Sequence, residues 1–365
     1  MTTRPIPVVL LAGFLGSGKT TVLNHLLRHS GGTRIGAVVN DFGSIEIDAM
    51  SVAGQVDSMV SLGNGCLCCA VDVSDLDEVL EKLAHPSAGM DLLVIEASGL
   101  AEPETLIRMI LASENPHIVY GGMVLVVDAA EYRHTRRRHP EIERHLPLAD
   151  LVVLNKVDRI EEEQRLDLAR ELRVLSGSAL VSARYGRVDP ELLFDVRPEE
   201  TGRAVQLSFD QLWREDPCEV GGEHGEHLHE AYQSLSYECS RPLHPGRLMA
   251  FLDDRPEGLY RLKGEVCLGV AGGQERYSVH AVGEFLRFYP STSRGGEPGT
   301  QLVLIGTDFA PERTRERLEG CRLDEGERPG PESMWGVLRF VDGPSDDADL
   351  TEDPPPEESV LSSGG

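Results

Sequence analysis

The first two hundred residues alternate short, almost wholly apolar runs with segments of helical spacing. The apolar runs fall at 7–12, 34–40, 91–97, 122–128, 151–156 and 179–183. Runs this short, with no polar alternation, predict strands buried on both faces, as in a parallel sheet. The intervening segments 20–29, 74–84, 103–112, 161–174 and 189–195 predict helices. Strand–helix alternation of this kind predicts a doubly wound, mostly parallel α/β domain over residues 1–200. Residues 201–233, with Gly221-Gly222, several acids and His224, His227 and His229, break the pattern and read as a linker. From 234 to 322 a different rhythm predicts a second, smaller α+β domain: alternation at 232–239, a helix at 244–254, meander strands over 259–271 and 276–290, a strand at 301–306 and a helix at 311–321. Residues 323–365 read as an acidic, largely disordered tail; from Asp342 to Gly365 there are eight acids, no bases and three consecutive prolines.

Candidate chemistry sits where apolar runs end. Gly13-Phe14-Leu15-Gly16-Ser17-Gly18-Lys19-Thr20 fits the pattern of a phosphate loop. Its glycines let backbone N–H groups wrap a phosphate at the N-terminus of the following helix, which Thr21 opens. Lys19 is placed to neutralise β and γ oxygens, and the Thr20 hydroxyl to ligate magnesium. Asn155-Lys156-Val157-Asp158 ends a later strand. A carboxylate such as Asp158 accepts from the ring N–H and the 2-amino group of guanine, donors that adenine lacks there. Ser182 and Ala183, ending the next strand, are candidates to offer a backbone N–H to the guanine carbonyl. Glu96 ends the run at 91–97, where such a site holds magnesium or its water, and Asp128, ending another, competes for the same role.

Gly63-Asn64-Gly65-Cys66-Leu67-Cys68-Cys69 is the least ordinary segment, with three thiols in four positions. That set suits a soft or borderline metal such as zinc, cobalt(II) or copper(I), and an incomplete shell suits a transferable metal. Asp41 and Glu46, in the stretch after the second apolar run, are placed to reach the thiolates or magnesium. The three histidines of the linker are as readily an ordinary polar loop as a metal site.

Charge narrows the partners. The chain carries 35 Lys+Arg against 61 Asp+Glu, a net −26. Such a balance opposes binding to a nucleic-acid backbone or an anionic membrane surface, and no stretch approaches the ~20 apolar residues of a membrane span. The run from Ile6 to Leu15 flows into the glycine-rich loop with no cleavage-type small residues after it, so it reads as a strand and not a secretory leader. A cytoplasmic protein is expected, its seven cysteines being thiols or metal ligands.

In order, GFLGSGKTT (13–21), NDFG (40–43), GNGCLCC (63–69), EASGLAEP (96–103), NKVD (155–158), and then YECSRPLHPGRL (237–248), LKGEVCL (262–268) and QLVLIGTDF (301–309), resemble the CobW-like GTPases over roughly residues 5–322. The resemblance implies a GTPase that binds zinc or cobalt through Cys66, Cys68 and Cys69 and delivers it to a client metalloprotein. It implies phosphate and magnesium roles for Gly16, Gly18, Lys19 and Thr20, and guanine roles for Asn155 and Asp158; a homodimer is compatible with it. Asp41 stands where the family usually has Glu, and Ala97 where it usually has Thr. Two rival readings are a P-loop small-molecule kinase, for which no acceptor pocket or lid is evident, and a non-catalytic zinc sensor or storage protein.

Overall fold

A computed structural model describes residues 5–39, 58–61, 73–99, 102–194, 232–270, 273–291 and 299–341. Asp41, Glu46, Cys66, Cys68, Cys69 and the three linker histidines lie outside the described residues.

The first domain is built on a seven-stranded sheet of β1 (Ile6–Ala12), β2 (Ile35–Val39), β3 (Ser58–Ser61), β4 (Leu92–Glu96), β5 (Ile118–Asp128), β6 (Leu151–Asn155) and β7 (Ala179–Ser182), in the order β3-β2-β4-β1-β5-β6-β7. Every pairing in it is parallel. Helices α1 (Lys19–Arg28), α2 (Val73–Ala84), α3 (Pro103–Ala112), α4 (Tyr132–Arg138) and α5 (Glu162–Ser176) cover its faces. β1 shows why these strands read as unbroken apolar runs. Val8, Leu10 and Ala12 join one core layer with Leu76 and Leu80 of α2, Leu106 of α3 and Leu172 of α5. Val9 and Leu11 point the other way, against Val22, Leu23 and Leu26 of α1. Each fully buried branched side chain contributes about 1.5–3 kcal/mol, so both parities of the strand must be apolar.

β1 is flanked by β4 and β5. The chain leaves β1 for one side of the sheet and later returns to fill the other, so β1 ends at a topological switch point, where crevices open beyond the strand ends. The register aligns Leu11 with Glu96 and Asp128 with Asn155, collecting the strand-end residues along one edge.

The segment at 189–195 forms only a 3-10 turn, Pro190–Leu192. Leu192, Leu193 and Phe194 are all buried. Three adjacent buried side chains need a tight turn, since an α-helix would swing one of them to solvent.

The second domain comprises β8 (Gln233–Cys239), α6 (Pro245–Asp253), β9 (Leu259–Val270), β10 (Gly273–Val282), β11 (Phe285–Pro290), β12 (Thr300–Gly306), α7 (Pro311–Glu319) and α8 (Trp335–Leu338). Its antiparallel sheet runs β11-β10-β9-β12-β8. The stretch 276–290, expected as one strand, is two: Val282 pairs with Phe285 around Gly283-Glu284, and Gly283 has φ 54, which favours glycine. Residues within 323–341, expected in the tail, pack on the second domain. Met334 and Val337 are buried in the second core, and Phe288 N–H donates to the Phe340 carbonyl at 2.8 Å. A few apolar residues at turn spacing suffice to dock this segment, despite its polar composition.

The two sheets pack directly. Tyr260, Val282 and Ile305 enter the core layer of α1. Arg261, 6% exposed, donates to the Leu193 carbonyl at 3.0 Å, and Leu180 N–H donates to the Thr307 hydroxyl at 3.2 Å. Asp150 accepts from the Tyr120 hydroxyl at 2.7 Å and the Met123 amide at 2.8 Å. A side chain at Gly283 would lie 1.7 Å from an Asp150 oxygen, so this hairpin seats only as glycine.

Candidate functional site

The phosphate loop leaves β1 at Gly13. Gly13, Gly16 and Gly18 have φ of 150, 73 and 101. At Gly13 a Cβ would stand 2.4 Å from the Val126 carbonyl oxygen, and at Gly18 it would stand 2.4 Å from Asn155 Nδ2. The loop therefore lies closer to β5 and β6 than any side chain permits. Lys19 is 8% exposed and its ammonium donates to the Gly13 and Phe14 carbonyls at 3.0 and 3.4 Å. It is thus held across the loop mouth that its motif assigns to phosphate oxygens. Ser17 is 2% exposed, and its hydroxyl has no hydrogen-bond partner among the described residues. A buried polar atom of that kind fits a site that receives an oxyanion.

The Thr20 hydroxyl donates to Glu96 Oε1 at 2.7 Å, joining the start of α1 to the end of β4. Glu96 is 4% exposed. A buried carboxylate and a threonine hydroxyl side by side, next to a phosphate loop, are a donor set that suits magnesium. At Gly99 a Cβ would meet Leu15 N at 2.8 Å, so the segment after Glu96 rests directly on the loop.

Asp128 is engaged with other partners. Its carboxylate accepts from Lys156 at 2.8 Å and from the amides of Ala130 and Glu131 at 2.9 and 3.2 Å, with Arg159 3.8 Å away. It is spent on β6 and on the entry to α4. Lys156, at φ 60, also donates to the Gly16 carbonyl, so one cation ties the phosphate loop to the strand that ends in the guanine motif.

Two candidate base contacts are engaged with the protein's own backbone. Asn155, expected at the base, is 1% exposed; its Nδ2 donates to the Ser17 carbonyl at 2.9 Å and its Oδ1 accepts from Gly186 N–H at 2.9 Å. Both ends of the amide bind backbone, so Asn155 braces the loop and positions its neighbours. The Ala183 amide, expected to reach the guanine carbonyl, donates instead to the Leu154 carbonyl at 2.8 Å, because β7 continues its pairing one residue further. The Ser182 hydroxyl accepts from Arg165 at 3.1 Å. Asp158 follows in the turn Val157–Arg159 and is exposed, at the same edge of the sheet. Thr21 is exposed on the first turn of α1, where the backbone of Thr21 lies 2.9 Å from a Cβ built at Gly186. That close approach of the 183–186 turn to α1 is the part of the site the motifs do not spell; its only trace in sequence is the glycine at 186. The thiolate motif and Asp41 lie outside the described residues, and among the described residues no cluster of three metal-type side chains occurs.

The fold and site define a class: a P-loop GTPase-type nucleotide-binding domain carrying a second, antiparallel domain. Residues 7–182 match the family described as CobW/HypB/UreG, nucleotide-binding domain, and residues 232–322 match the cobalamin synthesis protein cobW C-terminal domain. The chain is 30% identical over 341 residues to the zinc chaperone CobW of a Sinorhizobium species, spanning 82% of this chain and 92% of that one. It is 31% identical over 199 residues to the zinc-regulated GTPase metalloprotein activator 1 of Schizosaccharomyces pombe, 52% of this chain and 48% of that one. Among solved structures it is similar to the Zn(II)-bound YjiA GTPase of Escherichia coli, at 22% identity and TM-score 0.39, covering 88% of this chain and all of that one. The chain belongs to the CobW family.

Proposed function

We propose that this protein is a GTP-hydrolysing metallochaperone that loads zinc, or cobalt, at Cys66, Cys68 and Cys69 and hands it to a client metalloprotein. The observation that carries the nucleotide half is the convergence, at one sheet edge, of the wrapped loop with Lys19, the Thr20–Glu96 pair and the exposed Asp158. The metal half is supported by the thiol spacing in the sequence and by relatives whose names call them zinc chaperones and a zinc-regulated metalloprotein activator.

In the reaction, water attacks the γ-phosphorus and the bond to the β–γ bridging oxygen breaks, giving GDP and phosphate. Thr20 and Glu96 would hold a magnesium ion, which would supply cationic charge to the phosphate oxygens. The chain's own residues do the positioning. Loop amides of Gly16, Gly18, Lys19 and Thr20 take the phosphate oxygens, and Lys19 adds its charge from a dry setting, where it counts for more. Lys156 and Asn155 hold the loop against β6, and Asp158 selects the base. No helix among the described residues is long and apolar enough to cross a membrane.

One purified sample tests both halves. GTP turnover and bound metal are measured before and after stripping with a chelator and reloading with zinc. Turnover that Lys19→Ala removes, in a protein whose metal is lost in Cys66→Ala, is the expected result. Phosphate transfer to a small acceptor in place of water would restore the kinase reading, and metal binding without turnover the sensor reading.

A further inference from the structure

A cavity of about 320 Å³ opens behind the phosphate loop. Its lining shares Phe14 to Ser17 and Lys156 with the nucleotide loop but lacks Lys19, Thr20 and Asp158, so it adjoins the nucleotide cleft from the side of β5 and α4. The geometry points to a second ligand site there, for an uncharged, largely apolar small molecule of about one fused-ring system. Three features set that chemistry. The walls are mainly carbon, from Phe14, Leu125, Val127, Tyr132, Ile142 and Leu146. Besides the charged groups, Ser17, Tyr132, Thr135 and His145 bring hydrogen-bonding side chains to the lining, and the Ser17 and Tyr132 hydroxyls have no partner among the described residues. Burial holds the His145 imidazole below its ordinary range, against the pull of Glu102 and Glu141, so it meets a ligand neutral. The charged side chains of the lining are already paired with one another: Lys156 with Asp128 at 2.8 Å, and Arg159 with Asp128 and Glu131 at 3.8 and 3.7 Å. An ionic ligand would have to break that frame; a neutral one leaves it whole. As for size, apolar cavities of roughly 150 Å³ accept a benzene ring, and ligand pockets begin at roughly 300 Å³.

The site is placed to act on the nucleotide cleft. One wall is the loop backbone itself, and Lys156, whose ammonium holds the Gly16 carbonyl and pairs with Asp128, lines the cavity beside it. An occupant packed against both stiffens that link and slows nucleotide release. This coupling rests on the GTP reading above; the binding does not.

The probe is 5-fluoroindole, followed by fluorine NMR on the full chain without nucleotide. Saturable binding with Kd below about 1 mM is expected. Thr135→Phe and Ile142→Phe fill the cavity from two walls, and each should weaken binding at least about 10-fold, while Thr135→Val keeps the space and retains it. N-acetyltryptophanamide, whose amides must crowd the rim, should bind more weakly than 5-fluoroindole; tighter binding would overturn the small-molecule reading in favour of a partner's side chain. No binding at about 2 mM probe, or equal binding in both filled variants, overturns the site. With fluorescent GDP loaded, the probe should slow release about 5-fold in wild type and not in Thr135→Phe. Unchanged release with demonstrated binding overturns the coupling.

Discussion

Asp150 and His25 titrate in the same range with opposite sign. Burial lifts the Asp150 carboxyl to about 6, against the Tyr120 hydroxyl and Met123 amide that pull it down, with Glu284 pushing it further up and Arg255 opposing. Its unfolded value is about 3.9, so the folded chain holds the extra proton in between, and its contribution to stability falls as pH rises from about 4 to about 6. Burial, with His29 and Arg187 nearby, lowers His25 to about 4. Its unfolded value is about 6.5, so the unfolded chain holds the proton, and this contribution is lost as pH falls through that window. Urea midpoints between pH 4.5 and 7.5 should therefore be flatter in wild type than in either variant, on the order of 1–2 kcal/mol for the Asp150 part because that carboxylate keeps some solvent contact. Asp150→Asn should leave a profile that climbs more steeply with pH, and His25→Gln one that declines; parallel profiles for all three would show that neither group titrates as described. A second residue-scale expectation concerns the base. Asp158→Asn should weaken GTP about 10–100-fold, through loss of a charged acceptor for two donors, and should not weaken a xanthine nucleotide, which presents an oxygen at the 2-position. Equal losses for both bases, measured by titration, would remove Asp158 from the base.

The loop glycines separate two kinds of constraint at the scale of an element. Gly18 combines φ 101 with Asn155 Nδ2 only 2.4 Å from a built Cβ, whereas Gly16, at φ 73, has open space around it. Gly16→Ala should cost only the left-handed backbone, about 1 kcal/mol. Gly18→Ala must also push Asn155 off the Ser17 carbonyl, so nucleotide affinity should fall by at least a further factor of about 10. Affinities and melting temperatures of the two variants, compared side by side, check this; an equal loss of affinity would mean the Asn155 brace does not matter. Motif elements were legible because their chemistry fixes residue type: Lys19, Thr20 and Glu96 sit together as their positions at strand and helix ends suggest. The work of Asn155 was not, because its partners, Ser17 and Gly186, are 138 and 31 residues away. β3 escaped notice because an edge strand of four residues, Ser58–Ser61, carries only two apolar side chains. The hairpin at Gly283 was read through because apolar residues continue on both sides of a two-residue turn.

Across the whole molecule, the second sheet lies on the core layer of α1, the helix that carries Lys19 and Thr20. The thiolate motif lies between β3 and α2 in sequence. If GTP draws the segment of Asp41 toward the thiolates, metal should bind more tightly in the GTP state, and by linkage metal must tighten GTP by the same factor, typically about 5–150-fold. Thiolate ligation displaces protons, so metal affinity should also fall as pH drops below the thiol values. A competition titration with a zinc indicator, run with a non-hydrolysable GTP analogue and again with GDP, measures the coupling. Cys66→Ala and Cys68→Ala should each abolish the tight site, while Cys218→Ala, outside the motif, should leave it intact. Removal of residues 342–365, which begin after the last β-bridge at Val341, should change neither GTP turnover nor this coupling. Identical zinc affinity in the two nucleotide states would sink the switch even if both sites bind, and would leave hydrolysis and metal transfer as separate activities of one chain.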